Sequence, residues 1–280
     1  MKKLLSANFH RLWKSKIFWI LECFSAIAGA IFYILAIVNE KNIGDGWYLA
    51  NGNLYFYITL VYVGVIIAVF SGFYIGTDYS DGALRNKLSV GSTRCSIYLS
   101  NLIIVIAAGG IFTATHIAVS VLVGLPFLGG LLWEALSPLG WRLLTSVILL
   151  LCYGAVFTFF AMLDSNKSRN LVVSFTLALA IIFGGILTSS RLAEPEFTSR
   201  MVMQVDGSFQ REHGLPNHRY IGGTTRTVYT IVDACIPSSQ AFNIMRSEGE
   251  FSPLAVISML GITAAFTTLG IAGFKKKDLK

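Results

Sequence analysis

Long stretches without charge dominate this sequence and decide what it can fold into. Five segments contain no Asp, Glu, Lys or Arg, and a sixth contains only Glu22. An apolar run of about 20 residues matches the roughly 30 Å hydrocarbon core of a bilayer at about 1.5 Å per helical residue. We therefore predict an all-α membrane protein that forms a single transmembrane domain over residues 1–280. The six predicted transmembrane helices are residues 17–38, 54–76, 97–123, 143–163, 171–188 and 253–274.

The basic residues are concentrated where they would orient the chain in a membrane. Of the 22 Lys and Arg residues, 14 lie before the first span or after the second, fourth and sixth spans. Cytoplasmic loops carry an excess of Lys and Arg, so the sequence predicts that both termini lie in the cytoplasm. This placement accounts for the net charge of +7 better than nucleic-acid binding does. A cleaved signal peptide is the less favoured alternative for the N-terminus, because the first apolar run has 22 residues and a signal core has about 7 to 15.

Residues 1–16 have the pattern of an amphipathic helix that lies in the headgroup layer. Phe9 and Trp13 recur with leucines at helical spacing, whereas Arg11 and Lys14 fall elsewhere on the helical wheel. In such an interfacial helix the aromatic side chains face the membrane and the cations face anionic headgroups. The alternative is an ordinary basic flank of the first span, which has the same consequence for topology.

The segment between the second and third spans, residues 77–96, is the most informative polar segment. Ser80 or Asp81 is placed to cap a short helix, and Gly91 is placed to end it in a left-handed turn. An apolar edge of this helix would be formed by Ala83, Leu84 and Leu88. A cationic edge would be formed by Arg85, Lys87 and Arg94. Because so short a helix is marginal in water, we expect it to rest on a protein or membrane surface. A solvated, positively charged loop is the alternative interpretation.

The sequence contains no motif for nucleotide hydrolysis or for zinc-dependent catalysis. Neither the phosphate-binding string G-x-x-x-x-G-K-[ST] nor the zinc peptidase motif H-E-x-x-H occurs. The four histidines are scattered, and the pair His213 and His218 fits a polar loop better than a metal site. We therefore expect no catalytic site, no metal site and no cofactor bound directly by this chain.

Two titratable residues lie inside predicted spans. Glu22 is near the start of the first span, and His116 is deep in the third. Ionisable groups are costly in lipid and usually face a bundle interior or an aqueous cavity, so both are candidates for a transport path. The structural alternatives are that Glu22 pairs with a basic residue at the interface and that a neutral His116 forms a hydrogen bond within the bundle.

Small residues at a four-residue spacing mark a candidate helix–helix contact in the second span. Gly72 and Gly76 form a G-x-x-x-G pair, which permits the close approach of another helix. The sequence leaves open whether this contact lies within the chain or with a second copy.

The segment 189–252 is too long for a simple connection between the last two spans. The predicted topology places its 64 residues outside the cell, and their charges are nearly balanced. We predict a helical insertion, with a short apolar helix or re-entrant hairpin over residues 231–245 that contains Pro237. Pro237 is a candidate path or gate residue. The functional interpretation of this segment is an exit gate or a substrate contact, and a lid that serves only stability is the alternative.

The order of features after the second span resembles the permease subunits of type-2 ATP-binding-cassette exporters. An acidic residue, Asp78, ends the span and is followed by a short helix of apolar and basic residues, by Gly91 and Arg94, and by an immediate return into the membrane at Ile97. An amphipathic N-terminal helix, six spans with both ends inside and a large insertion before the last span are also expected of that family. The resemblance therefore covers the whole chain.

This resemblance implies specific partners. A separate cytoplasmic ATPase subunit, which holds ATP and Mg²⁺, would contact the N-terminal helix and the coupling loop, residues 77–96. The coupling residues that the resemblance implies are Asp78, Asp81, Arg85, Lys87 and Arg94. A second permease subunit, identical or homologous, would complete the translocation path within the surrounding lipid.

The function implied by the resemblance is export across the cytoplasmic membrane of a bacterium, as in drug and lantibiotic exporters. The cargo would be hydrophobic or amphipathic, namely an antimicrobial peptide, a drug or a lipid. Two other classes stay open from the sequence. One is an ATP-independent immunity or sensor protein that binds its ligand through residues 189–252, and the other is a secondary transporter.

Overall fold

The computed structural model describes residues 1–43, 57–128, 139–203, 209–245 and 252–277. These residues form ten helices and one pair of strands. In chain order the elements are α1 (Lys2–Lys14), α2 (Lys16–Ile43), α3 (Thr59–Ser80), α4 (Ala83–Ser89), α5 (Arg94–Leu128), α6 (Leu139–Leu163), α7 (Lys167–Leu192), β1 (Phe197–Met203), β2 (Phe209–Pro216), α8 (Gly223–Cys235), α9 (Pro237–Met245) and α10 (Pro253–Lys276).

Six of these helices are long and apolar enough to cross a membrane, which confirms the prediction of a multi-pass helical membrane protein. They are α2, α3, α5, α6, α7 and α10. Several extend beyond the charge-free runs, since α3 continues to Ser80 and α5 begins at Arg94. Residues 54–56, which the sequence assigns to the second span, lie outside the described residues.

The bundle is built around two central helices. In α3 and α6, 72% of the most apolar stretch is buried, compared with 22% in α2 and α7 and 17% in α10. The outer helices expose large apolar side chains, such as Phe24 on α2, Phe183 on α7 and Leu269 on α10. Since water would not solvate these faces favourably, the burial pattern fits a bundle surrounded by lipid.

Gly72 and Gly76 lie where α3 packs against α7 of the same chain. A Cβ atom added at Gly76 would come within 2.8 Å of Lys167 Cγ, and one added at Gly72 would lie 3.4 Å from Leu171 Cα. The small residues therefore allow the α3 and α7 backbones to approach closely within this chain.

The insertion before the last span is only partly helical, so the prediction of a wholly helical insertion is wrong for its first half. Strands β1 and β2 pair in antiparallel register, with Phe197 opposite Pro216 and Met203 opposite Phe209. The sequence between them contains Asp206-Gly207, a dipeptide that favours tight hairpin turns. Residues 204–208 and 246–251 of the insertion lie outside the described residues.

The second half of the insertion folds back onto the bundle as two short helices. α8 ends at Cys235, and α9 begins at Pro237, where the missing N–H of proline is not needed for helical bonding. α9 packs on α7, α3 and α6. Ser238 Oγ donates a hydrogen bond to the Ile181 carbonyl at 2.5 Å, and Ser239 and Thr188 are joined hydroxyl to hydroxyl at 2.7 Å. α9 is thus packed onto the bundle, with Ser238 and Ser239 buried against α7.

Candidate functional site

A buried carboxylate at the end of α3 organises one end of the bundle. The Asp78 side chain has no exposed surface and pairs with two cations, Arg11 of α1 and Lys87 of α4. Lys87 Nζ donates to Asp78 Oδ2 at 2.8 Å. Burying a carboxylate is costly unless it is paired and hydrogen-bonded, so this Asp78 cluster (Asp78, Arg11 and Lys87) holds three helices at one point.

The Asp78 cluster depends on α1 being attached to the bundle. Leu12 is fully buried, and Asn8 Nδ2 donates to Ser100 Oγ at 2.7 Å. Tyr74 Oη donates to the Asn8 carbonyl at 2.8 Å, and the Arg11 guanidinium lies 3.7 Å from the centre of the Tyr74 ring. α1 is therefore fixed by specific polar contacts as well as by its apolar face.

Asn8 is a buried polar residue at the candidate site that the sequence interpretation missed. It precedes Leu12 by four residues and so lies on the same helical face, which is where an amphipathic pattern calls for an apolar residue. A polar residue at such a position is a signal for a buried hydrogen bond. Of the two aromatic residues predicted to face lipid, Trp13 is half exposed and Phe9 packs against the buried core.

α1 is a separate helix and not a continuation of the first span. The chain is extended at Ser15, with φ −75° and ψ 118°, and α2 starts at the next residue. Trp19 Nε1 donates to the Trp13 carbonyl at 2.8 Å across this break. The structure thus has a distinct helix before the first candidate span, and its position in the headgroup layer stays a prediction.

α4 is a short helix bounded by two glycines. Gly82 is its N-cap, with φ 68°, and Gly91 follows it with φ 87°. The prediction that a Ser80 or Asp81 side chain caps the helix is wrong. The N-cap residue is Gly82 in the left-handed conformation, and no side chain forms a capping hydrogen bond there. The predicted apolar edge is present, with Leu84 buried and Leu88 packed against the core.

Only part of the predicted cationic edge of α4 faces outward. Lys87 points inward to Asp78, and burial together with the positive charge of Arg11 lowers the pKa of Lys87 to about 7. The residues that face outward, here called the α4 outer face, are Arg85, Asn86, Ser89 and Val90. Val90 is 87% exposed. This face is the part of α4 that is accessible to another protein.

Arg94 does not belong to the α4 outer face either, because its side chain binds the carbonyl groups at the end of α10. Its Nη1 donates to the Phe274 carbonyl at 2.8 Å and to the Lys277 carbonyl. A cation at the last carbonyls of a helix satisfies unpaired acceptors and complements the helix dipole. Lys277 Nζ in turn donates to Tyr79 Oη at 2.9 Å and to the Met162 carbonyl at 3.2 Å, so α3, α6 and α10 are joined beside the Asp78 cluster.

The five residues assigned to coupling therefore divide into two groups. Asp78, Lys87 and Arg94 hold this chain together, whereas Asp81 and Arg85 are exposed at the same end of the bundle. We call this end, where α1 and α4 lie beside the start of α7 and the end of α10, the basic end.

The titratable residues inside the spans lie where α2, α3 and α5 meet. Tyr62 Oη is 2.6 Å from His116 Nδ1, and Thr115 donates its hydroxyl proton to Glu22. Glu22 thus interacts with a threonine of α5. In the described part of the chain no basic residue lies within ion-pair distance of Glu22, contrary to the alternative that it pairs with one at the interface. His116 is fully buried and hydrogen-bonded, as expected of a histidine that contributes to helix packing.

Pro237 lies at a different place, beside an apolar cavity. This cavity has a volume of about 390 Å³ and lies between α6, α7, α10 and the turn from α8 to α9. Apart from Cys235, its walls are apolar or glycine, and they include Phe160, Phe266 and Pro237. Its size falls within the range of about 300–1,000 Å³ that is usual for small-molecule pockets, so it can accept a hydrophobic group.

The turn from α8 to α9 is held rigid by a second buried carboxylate. Asp233 accepts hydrogen bonds from Ser239, from Asn243 Nδ2 at 3.1 Å and from Gln240 Nε2 at 3.4 Å. These donors all come from α9, so Asp233 fixes the angle between the two short helices beside the cavity.

Two comparisons with known proteins return no match for this chain. No protein-family model matches it, and no curated protein matches it either. Within the ranges that the structure describes, no group of three or more His, Cys, Asp or Glu residues is placed to hold a metal ion. Function must therefore be inferred from the geometry of the bundle.

Proposed function

We propose that this chain is the membrane-spanning permease subunit of a type-2 ATP-binding-cassette exporter. A separate ATPase subunit would hydrolyse ATP, and the permease would move a hydrophobic or amphipathic molecule such as a peptide, a drug or a lipid. The observation that carries the proposal is the Asp78 cluster. It joins two short helices at the basic end, α1 and α4, to the central span α3.

This geometry supports transmission of force from one end of the bundle to its centre. A partner that pushes on the α4 outer face moves Lys87, and through Asp78 it moves the end of α3. α3 is one of the two most buried spans and packs against α5, α6 and α7. A rigid-body shift of α3 would therefore displace the helices that pack against it.

The transport path is proposed on the side of α7 and α9. α7 lies against α3 at Gly72 and Gly76, and the hydroxyl groups of α9 bind α7. Displacement of α3 would thus change the apolar cavity beside Pro237. The exposed apolar faces of α7 and α10 give room for a second permease subunit or for lipid.

The proposed location is the cytoplasmic membrane of a bacterium, with both termini and the α4 outer face in the cytoplasm. The basic residues at this end support that orientation through the positive-inside rule. ATP and Mg²⁺ would be held by the ATPase subunit.

The proposal is tested on the α4 outer face with the variant R85E/V90D. Both residues are exposed, so the variant should fold normally and lose copurification of the ATPase subunit from native membranes as well as ATP-dependent transport. The matched control K275E/V228D also reverses one exposed basic charge and replaces one exposed valine with aspartate. It should retain both copurification of the ATPase subunit and ATP-dependent transport.

Two results would contradict the proposal. One is that R85E/V90D retains the ATPase subunit and transport at the level of the control. The other is that the wild-type chain copurifies with no ATPase, which would favour an ATP-independent sensor, immunity protein or secondary transporter.

A further inference from the structure

We propose that the cavity at the junction of α1 and α2 binds a phosphate group, either on a lipid headgroup or free in solution. The cavity has a volume of about 390 Å³ and is distinct from the apolar cavity beside Pro237. Its walls come from the break at Ser15, from the last turns of α3 and from the start of α7. Residues of four helices, α1, α2, α3 and α7, thus line one site at the end of the bundle.

The walls of this cavity carry a strong excess of positive charge. Four cationic side chains line it together with a single carboxylate, Asp81. The cationic residues are Arg11, Lys14, Lys16 and Lys167. In the described part of the chain, no carboxylate lies within ion-pair distance of any of the three lysines. Such a concave cluster of cations attracts an anion and raises its local concentration.

Several hydrogen-bond donors around the cavity have capacity left for a ligand. Arg11 Nη1 is taken by Asp78, but Nε and Nη2 are buried and have no acceptor among the described residues. Lys167 Nζ donates to Thr77 Oγ1 at 3.1 Å, which uses one of its three protons. Buried donors without acceptors are rare and costly, so an oxygen-rich anion would complete this arrangement.

The remaining wall is apolar and suits the part of a phospholipid next to its phosphate. Ile17, Phe73 and Tyr74 contribute side chains to the cavity. The cavity lies at the start of α2, near the end of α3 and at the start of α7, which are the ends of three candidate membrane spans. Basic pockets between spans are known binding sites for anionic headgroups. Guanidinium and ammonium groups together favour phosphate over a neutral ligand.

The test measures binding of defined probes to the full chain, stripped of lipid in a neutral detergent. Native mass spectrometry counts bound molecules during titration with phosphatidylglycerol, with inorganic phosphate, or with diacylglycerol, which lacks the phosphate. We expect one saturable site for a phosphate-bearing probe and none for diacylglycerol. If phosphatidylglycerol binding is saturable and inorganic phosphate does not displace the lipid, the site is assigned to lipid. If inorganic phosphate binds at the same site, the site is assigned to the free anion.

Variants localise the site. K14Q/K16Q/K167Q removes three cationic groups and should weaken phosphatidylglycerol binding on the order of 100-fold, at about a factor of five for each cation. The control K2Q/K275Q/K276Q removes the same charge from exposed lysines outside the cavity and should change binding less than about threefold. The double variant K14Q/K16Q alters exposed side chains only, so folding is preserved, and it should still weaken binding about 25-fold.

The proposal is overturned if the cavity variants and the control lose binding equally, because that result assigns binding to diffuse surface charge. It is also overturned if no probe saturates or if diacylglycerol binds as well as phosphatidylglycerol. None of these readouts requires an ATPase subunit, so the outcome is independent of the proposed exporter function.

Discussion

Removing the charge of Asp78 should destabilise the protein far more than removing any exposed charge nearby. D78N keeps the shape of the side chain but leaves Arg11 and Lys87 without a counter-charge. Breaking a buried ion pair costs about 3–5 kcal/mol. Because the Arg11 side chain is 32% exposed and Lys87 only 16%, water relieves part of this loss, and we expect about 3 kcal/mol, at the low end of that range.

The assay is thermal unfolding of the purified chain in detergent. A loss of about 3 kcal/mol corresponds to a fall in Tm of about 6–12 °C for a chain of roughly this size. D81N is the matched control, because Asp81 is exposed and only three residues away, and it should change stability by less than about 0.5 kcal/mol. A double-mutant cycle with K87M should give a coupling energy of at least about 1 kcal/mol. Equal melting temperatures for D78N and D81N, or an additive cycle, would refute the assignment of Asp78 as the point that joins these helices.

Three further predictions concern packing, topology and the turn from α8 to α9. G76L should lower the free energy of unfolding by about 1–3 kcal/mol, because the new side chain would collide with α7. The new side chain of G110L would point into open space, so this variant should be as stable as the wild type in the same unfolding assay. In cells, a cysteine at Ser89 should be protected from an impermeant maleimide and one at Thr198 should be labelled; the reverse pattern would contradict the proposed orientation. D233N should weaken the hydrogen bonds to α9 by about 1.5–3 kcal/mol and speed proteolysis between α8 and α9, and an unchanged cleavage rate would show that Asp233 does not hold this turn.

Local sequence patterns were enough to find the spans and the short helices at the basic end. A charge-free run of about 20 residues has few structural solutions, because lipid leaves backbone groups no partner except those within a helix. The helix after α3 was also predictable, since Leu84 and Leu88 share one face and glycines flank it. The hairpin of β1 and β2 was missed, although the Asp206-Gly207 signal was present, because the whole insertion was predicted to be helical.

The roles of the charged residues at the basic end could not be predicted in the same way. A lysine on a short polar helix has the same local pattern whether it faces water or a buried carboxylate. Lys87 and Arg94 looked like surface cations, yet one pairs with Asp78 and the other binds the carbonyls that end α10.

The sequence by itself determined that this chain forms six apolar helices, where its cations are concentrated and that a short helix follows the second span. These properties follow from hydropathy, charge and backbone preferences over a few neighbouring residues. Only the tertiary structure decided that Arg11, Asp78 and Lys87 meet, that Asn8 anchors α1 and that α9 packs onto the bundle. Those outcomes depend on which helices pack together, because a buried charge or amide takes its partner from whichever helix lies within hydrogen-bonding distance.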